Sequence, residues 1–179
     1  EEEYNWFLTV LFPANQLHIL PYNRIVFDLQ GSTVDEFLEN LQEVGNVTPT
    51  SNPIPSTSGT CCVYVGKESG WHELVFHSID VDDPIASLDV DLVQQRVLAP
   101  LLGIGDPRSD TRVDFIGGIR GTDELERRVD NGDAAIAFSM YATTIEQLLG
   151  VADAGLIMPP KSTWFEPKLR SGLFVHELD

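Results

Sequence analysis

The chain alternates short, strand-like apolar runs with helical segments that carry their own capping residues, and this alternation limits the possible folds more than any other feature. Thr33 and Glu36 have the spacing of a helix capping box. Behind them, apolar residues recur at the spacing of one helix face: Val34, Phe37, Leu38 and Leu41. The sequence therefore predicts an amphipathic helix that must bury one face against another layer.

Further helices are predicted by the same signals. Ser87 is expected to cap one of them, and Thr122 to begin another that ends near Gly132. Thr143 and Glu146 are expected to cap the last, which carries apolar residues on one face. Each of these helices needs a sheet or another helix to pack on.

Strands are predicted where aromatic and β-branched residues cluster between turn residues. These runs are residues 4–12, 17–20, 22–26, 61–65, 74–76, 112–116, 134–140 and 173–177. The first two runs are expected to pair as a hairpin, the first of them buried, and 61–65 is expected to pair with 74–76. Residues 45–59 are rich in Ser, Thr, Pro and Asn and are predicted to form a mobile surface loop. The order ββαββαβαβαβ predicts an α/β protein of the α+β kind, with helices packed on a mixed β-sheet.

The length of 179 residues predicts a single domain over residues 1–179. A chain of this length buries enough surface to fold without a disulfide or a metal. A strand is predicted directly after three glutamates, with no initiator methionine before it. We therefore expect the chain to be the C-terminal part of a longer protein.

The net charge is strongly negative, with 28 acidic and 11 basic residues and a formal charge of −17. Such a surface repels the phosphate backbone, so nucleic acid is not expected as a partner. No apolar run approaches the length of a membrane span, so a soluble, cytoplasmic protein without membrane contact is expected. The acidity fits adaptation to high salt and fits ordinary solubility equally, and both interpretations stay open.

Several common chemistries are excluded by spacing. His72 and His77 are five residues apart in a strand-like segment, which places them on opposite faces, so no metal site is predicted. Asp80 begins a run like a calcium loop, but Pro84 and Ile85 stand where an oxygen ligand and a glycine are required. No nucleophile stands in a recognised motif, so catalytic residues and cofactors stay undefined, and whether the protein is an enzyme stays open.

Two cationic segments stand out from this acidic background. The first consists of the glycine-rich residues 103–108 and 117–122. In one interpretation, these glycines let the backbone approach an anion that Arg108 and Arg120 flank. In the other, the glycines only form turns. The second covers residues 158–172, where Lys161, Lys168 and Arg170 are interleaved with aromatic residues. These cations are expected either to bind a phosphate or carboxylate or to pair with neighbouring acids.

Five runs resemble the bacterial and archaeal family called domain of unknown function 1015. The runs are residues 7–13, 20–24, 101–108, 114–121 and 151–172, and the resemblance extends in order from about Tyr4 to Leu178. The resemblance implies a two-part protein without an agreed activity. The N-terminal part would carry an Asp-Gly-His-His-Arg-type motif related to the ParB and sulfiredoxin-like nucleotide-binding fold. That motif does not occur in this sequence, which agrees with the expectation of a C-terminal part.

Two functional hypotheses follow. In the first, the domain contributes a phosphate- or carboxylate-binding half-site to an enzyme or nucleotide-dependent protein whose catalytic motif lies upstream. The candidate anion-binding residues are Asn23, Arg24, Arg108, Arg120, Lys161, Lys168 and Arg170. In the second, the domain is a structural or self-association module that packs against the missing N-terminal half or a second copy. The second hypothesis predicts an apolar patch near the first predicted strand.

Overall fold

A computed structural model describes residues 2–168 and 170–177 of the chain, apart from the side chain of residue 14. The strands are β1 (His18–Leu20), β2 (Tyr22–Val26), β3 (Gly45–Thr50), β4 (Thr60–Tyr64), β5 (Trp71–Phe76), β6 (Val113–Gly117), β7 (Ile136–Met140) and β8 (Trp164–Glu166). The helices are α1 (Val34–Leu41), α2 (Asp89–Val93), α3 (Ala99–Leu102), α4 (Asp123–Asp130) and α5 (Ile145–Asp153). A π-helical turn, Gln94–Leu98, joins α2 to α3.

Six strands form one sheet in the order β3-β5-β4-β7-β2-β6, and β1 pairs with β8 in a second, two-stranded sheet. Every strand pairing among the described residues is antiparallel. The expected α+β class, with helices packed on a β-sheet, is therefore confirmed, although the described strand pairs are antiparallel where a mixed sheet was expected. Pro21 is the only residue between β1 and β2, so the small sheet adjoins the β2–β6 side of the large one.

Successive strand residues point to opposite sides of the large sheet, and each of its two faces carries a buried core. On one face, Val63 and Phe138 pack in a core with Phe37 of α1 and Val151 of α5. The α2–α3 segment packs into the same core. On the other face, Leu125 of α4 belongs to a smaller core together with residues of β2, β4, β6 and β7. The strands β4 and β7 are buried along their whole length, which explains their continuous apolar sequence.

The capping predictions are correct for α1 and shifted for two other helices. Thr33 and Glu36 form the expected capping box. At α5 the box is made by Thr144 and Gln147, one residue later than expected, so the prediction of Thr143 with Glu146 is wrong. Ser87 is not a cap either, since α2 begins at Asp89. At α5 the error arises because two adjacent threonines are both competent caps, whereas α2 follows Leu88 and has no side-chain cap at all.

The first predicted strand is wrong. Residues 6–13 lie outside any helix or strand and follow a short 3-10 turn, Glu3–Asn5. Their apolar side chains are exposed, with Phe7 at 84% and Leu11 at 89% of full exposure. The partner that was expected for this segment, residues 17–20, pairs instead with β8 near the end of the chain.

Two predictions near other loops are also wrong. Residues 45–50 of the predicted loop form β3, which pairs with β5 along six residues. The predicted strand 173–177 is not a strand, and β8 was missed ten residues earlier. Within the residues that the structure describes, no helix is both long and apolar enough to cross a membrane.

Candidate functional site

Three aromatic rings meet where the small sheet adjoins the large one, and we call Tyr22, Phe115 and Trp164 the aromatic cluster. The Tyr22 ring lies edge-on to Phe115, with 6.4 Å between centroids, and 5.3 Å from Trp164. Tyr22 stands opposite Gly117 in the β2–β6 register. A Cβ at Gly117 would lie 2.4 Å from the Trp164 ring, so glycine is needed there for Trp164 to reach Tyr22.

Three cations lie over the rings of this cluster. The guanidinium of Arg24 lies 5.5 Å from the centroid of Phe115, its cross-strand neighbour. Lys161 Nζ lies 5.4 Å from the centroid of Tyr22, and Lys168 Nζ lies 3.7 Å from that of Trp164. Cation–π contacts of this kind contribute about 0.5–1 kcal/mol each when exposed and more when desolvated. The cluster therefore concentrates positive charge in a strongly acidic protein.

Arg24 is the most unusual of these cations because it is buried, with only 3% of the residue exposed. Its Nη1 donates a hydrogen bond to the carbonyl of Tyr22. Among the described residues, no carboxylate forms an ion pair with it. Desolvation on burial lowers the pKa of Arg24 to about 10, so the side chain stays charged at neutral pH. A buried charge without a counter-charge is expensive to keep and is a marker of functional sites.

A cavity of about 360 Å³ lies beside the cluster. Its lining includes Phe115, Arg108 and Lys161, and the two cations come from segments about fifty residues apart in the sequence. Arg108 is largely exposed and makes only a long contact, 3.4 Å, with Asp106. The side chains of Arg108 and Lys161 can therefore turn toward a bound group without breaking a buried ion pair.

Two acids also line this cavity, and both are engaged by the protein. Asp110 is held by Arg112 through hydrogen bonds of 3.1 and 2.6 Å, and these bonds lower the pKa of Asp110. Asp114 Oδ1 accepts a hydrogen bond of 2.7 Å from the backbone N–H of Phe115. The cavity thus presents two adaptable cations and two oriented carboxylates.

The other predicted site residues lie elsewhere or have other partners. The buried side chain of Asn23 accepts a 3.0 Å hydrogen bond from the backbone N–H of Met140 and thereby links β2 to β7. Arg120 is exposed and lies 4.0 Å from Glu124 of α4. Arg170 is exposed. The structure therefore gathers Arg24, Arg108, Lys161 and Lys168, and it gives Asn23 and Arg120 other contacts.

Three glycines of these turns already use their backbone N–H groups within the protein. The N–H of Gly103 donates to Ala99 and closes α3, where Gly103 has a φ of +62°. The N–H groups of Gly118 and Gly121 donate to the carbonyls of Pro21 and Gly118. These three N–H groups are therefore not available to an anion.

The sequence prediction singled out the aromatic residues near Lys161 and Lys168 but missed Tyr22 and Phe115, and it also missed one buried acid. Tyr22 and Arg24 are two residues apart on one strand, so they share a face, but only the β2–β6 register shows that Phe115 joins them. Asp89 is buried and accepts hydrogen bonds from Ser58 Oγ (2.9 Å) and from the N–H of Gly59 (2.7 Å). Burial raises the pKa of Asp89 to about 6 even though these hydrogen bonds oppose the change.

Together, the fold and this site define an α+β domain with a cationic, aromatic cavity at one side of its sheet. A family model described as "Protein of unknown function (DUF1015)" matches residues 1–91, half of the chain. The chain therefore belongs to that family, as the resemblance in its sequence indicated. A search of curated proteins found no match.

Among solved structures, the chain is similar to mutants of a free serine kinase. One in complex with AMP has 13% identity and a TM-score of 0.49, and a second complex with AMP has a TM-score of 0.47. A complex with ADP has a TM-score of 0.45. Each match covers 85% of this chain, which spans 55% of the kinase chain. At these TM-scores the similarity carries no functional argument.

Proposed function

We propose that this domain binds a small anion, a phosphate or a carboxylate, at the cavity beside the aromatic cluster. The observation that carries the proposal is the buried, charged Arg24, for which the described residues provide no carboxylate partner. Arg24 lies on the ring of Phe115, which lines the cavity, so a ligand that brings a negative charge into the cavity would offset the desolvation of the guanidinium. The other cations would then complete the ligand's hydrogen bonds.

The position of the other cations supports this proposal. Arg108 and Lys161 approach the cavity from two different loops, and Arg24 and Lys168 lie on rings of the adjoining aromatic cluster. These four are among only eleven basic residues in a chain of net charge −17. Positive charge gathered against a negative background focuses an anionic ligand onto one place.

The size and lining of the cavity limit the ligand. A volume of about 360 Å³ lies at the lower end of the range for small-molecule sites. The carboxylates of Asp110 and Asp114 favour a ligand that also carries a hydroxyl or an amino group, because these groups donate hydrogen bonds. The proposed ligand is therefore a small phosphate or carboxylate compound with at least one such donor.

We propose that this domain binds the anion and does not itself catalyse a reaction. Its cavity acids are already engaged, by Arg112 and by a backbone N–H, so neither is placed as a free general base. We propose that the reaction belongs to an upstream part of a longer protein, of the ParB and sulfiredoxin-like kind that the family resemblance implies. The present domain would supply one half of the binding site.

A thermal-shift screen tests the proposal. The chain is heated with inorganic phosphate, nucleotides, phosphoserine and small carboxylates, at low and at high salt. A ligand at about 100 times its Kd stabilises the folded state by about 2.7 kcal/mol, which raises the Tm of a protein of this size by roughly 5–10 °C.

Matched variants separate the site from general charge effects. Lys161→Gln and Arg108→Gln remove one charge each at the cavity, and both should abolish most of the rise. Lys67→Gln removes one charge at an exposed ion pair with Asp130 and should retain it. The proposal fails if no anion raises the Tm, or if all three variants respond equally.

A second function, self-association, is favoured by a different observation. The apolar side chains of residues 4–12 are exposed, which agrees with the patch that this hypothesis predicts near the start of the chain. The two functions are compatible because the exposed patch and the cavity consist of different residues.

A further inference from the structure

The segment Tyr4–Phe12, which we call the N-terminal arm, has the sequence of a buried strand but is exposed. Seven of its side chains are large, apolar and exposed: Tyr4, Trp6, Phe7, Leu8, Val10, Leu11 and Phe12. Monomeric soluble proteins rarely expose a continuous apolar patch of more than a few hundred Å². The arm therefore needs a covering surface.

Beyond Trp6, the backbone of the arm also lacks hydrogen-bond partners within the part of the chain that the structure describes. Among the described residues, no backbone hydrogen bond is found for residues 7–12. Their aromatic and β-branched composition is typical of strands, which satisfy their N–H and C=O groups by pairing. An unpaired segment of this composition is suited to pairing with a strand of another chain.

The exposed area of the arm fits a protein partner. An aromatic side chain has roughly 150–250 Å² of surface. The exposed fractions of the seven side chains then amount to roughly 800 Å², which is the area that one partner contributes to a standard protein interface. The C-terminal segment extends the patch, because His176 Nε2 lies 3.1 Å from the carbonyl oxygen of Glu3 and Leu173–Val175 are exposed beside it.

The distribution of acidic residues along the chain favours a second copy of the chain as the partner of the arm. The chain has 28 acidic residues among 179, yet residues 4–27 contain none, and residues 167–176 contain none. Two copies of a chain with a charge of −17 repel each other over most of their surface. The arm and the C-terminal segment together form an apolar surface on which two copies can meet without bringing carboxylates together.

We infer that the N-terminal arm is a dimer interface that pairs with the arm of a second copy across a two-fold axis. Antiparallel pairing of two identical segments is self-complementary, so one apolar, acid-free surface covers the other. This inference does not depend on anion binding, because Arg24, Arg108, Lys161 and Lys168 lie outside the arm.

Measuring the mass of the full 179-residue chain by light scattering after gel filtration tests the inference. Over about a hundredfold range of concentration, the mass should rise from 19.8 kDa to twice that value. High salt should favour the dimer, because it screens the repulsion between the acidic surfaces. Phe7→Asp and Leu11→Asp should both give monomers, since each places a carboxylate in the apolar interface.

The control is Val81→Asp, which places the same charge at an exposed valine outside the arm and should leave the dimer intact. Circular dichroism should show that both arm variants stay folded, since the residues they replace are exposed. The inference is overturned if the chain is monomeric at every concentration, or if the dimer survives in both arm variants. A monomer that binds lipid vesicles through the arm would also overturn it and would assign the arm to a membrane surface.

Discussion

Replacing Arg24 by methionine separates a functional role of this side chain from a structural one. Methionine fills a similar, unbranched space and removes the buried charge. Burial lowers the pKa of Arg24 from 12.5 to about 10, and at about 1.4 kcal/mol per pH unit this corresponds to a desolvation cost of roughly 3–4 kcal/mol. Arg24→Met removes this unfavourable contribution.

The substitution also removes two favourable contacts. The hydrogen bond from Arg24 to the carbonyl of Tyr22 contributes about 1.5–3 kcal/mol as a charged donor. The contact with the Phe115 ring contributes about 0.5–1 kcal/mol, part of which a methionine sulfur restores. These contributions nearly cancel, so we expect Arg24→Met to change the free energy of unfolding by no more than about 1 kcal/mol in either direction. The corresponding change in Tm is within roughly 4 °C of zero.

Thermal and urea unfolding, with and without the anion that stabilises the wild-type protein, measure both effects. Arg24→Met should keep its stability and lose the anion response. Arg24→Ala should also lose the response but should be less stable by about 2–5 kcal/mol, since it leaves a cavity. A fall in Tm of more than about 5 °C for Arg24→Met would refute the reasoning, since it would make Arg24 a net structural contributor.

Three further outcomes follow from the structure. In the folded protein the pKa of Asp89 is raised to about 6. The stability that Asp89 contributes is therefore fully present below about pH 4, and up to about 3 kcal/mol of it is lost as the pH rises through 6. Urea midpoints measured from pH 4 to 8 should fall less steeply in Asp89→Asn, and equal slopes would contradict this. Gly117→Ala should displace Trp164, lower stability by about 1–3 kcal/mol and weaken anion binding, whereas Gly150→Ala, whose Cβ meets no atom within 4 Å, should do neither in the same assays. Thr33→Ala should lower stability by about 1 kcal/mol without affecting anion binding, as urea unfolding and the thermal-shift screen would show.

The sequence was sufficient for elements whose signal is local. The Thr33 capping box and the apolar spacing of α1 are contained within nine residues, and the structure has both. The strands β4 and β7 are apolar throughout because both of their faces are covered, and this composition also identifies them from the sequence. Such signals place elements along the chain but do not specify which strands are neighbours.

The predictions that the structure contradicts mostly concern strand pairing between distant parts of the chain. β1 pairs with β8, 148 residues later (His18 with Glu166), whereas local signals favour a hairpin between neighbouring segments. β3 contains Pro49 and polar residues, so it has the composition of a loop, and it is a strand because it lies at the edge of the sheet. The exposed arm has the composition of a buried strand, which agrees with a partner that lies outside the chain.

The candidate site was predicted in part. Charge alone identified Lys161, Lys168 and Arg108 as unusual in so acidic a chain. Their relation to Tyr22 and Phe115 depends on strand register, which no local pattern shows. Whether these residues bind an anion stays a prediction.

The central claim, an anion site beside the aromatic cluster, is tested most directly by an NMR titration of the ¹⁵N-labelled chain with inorganic phosphate. The chain has three tryptophans, and two of their indole N–H groups serve as a matched pair. Trp164 Nε1 donates to Glu166 within the cluster, whereas Trp71 Nε1 donates to Glu126 of α4 in a different part of the fold. The proposal predicts saturable shifts of the Trp164 indole and of the Phe115 and Lys161 amides, with the Trp71 indole unchanged. Absence of any saturable shift, or equal shifts of both indoles, would contradict it.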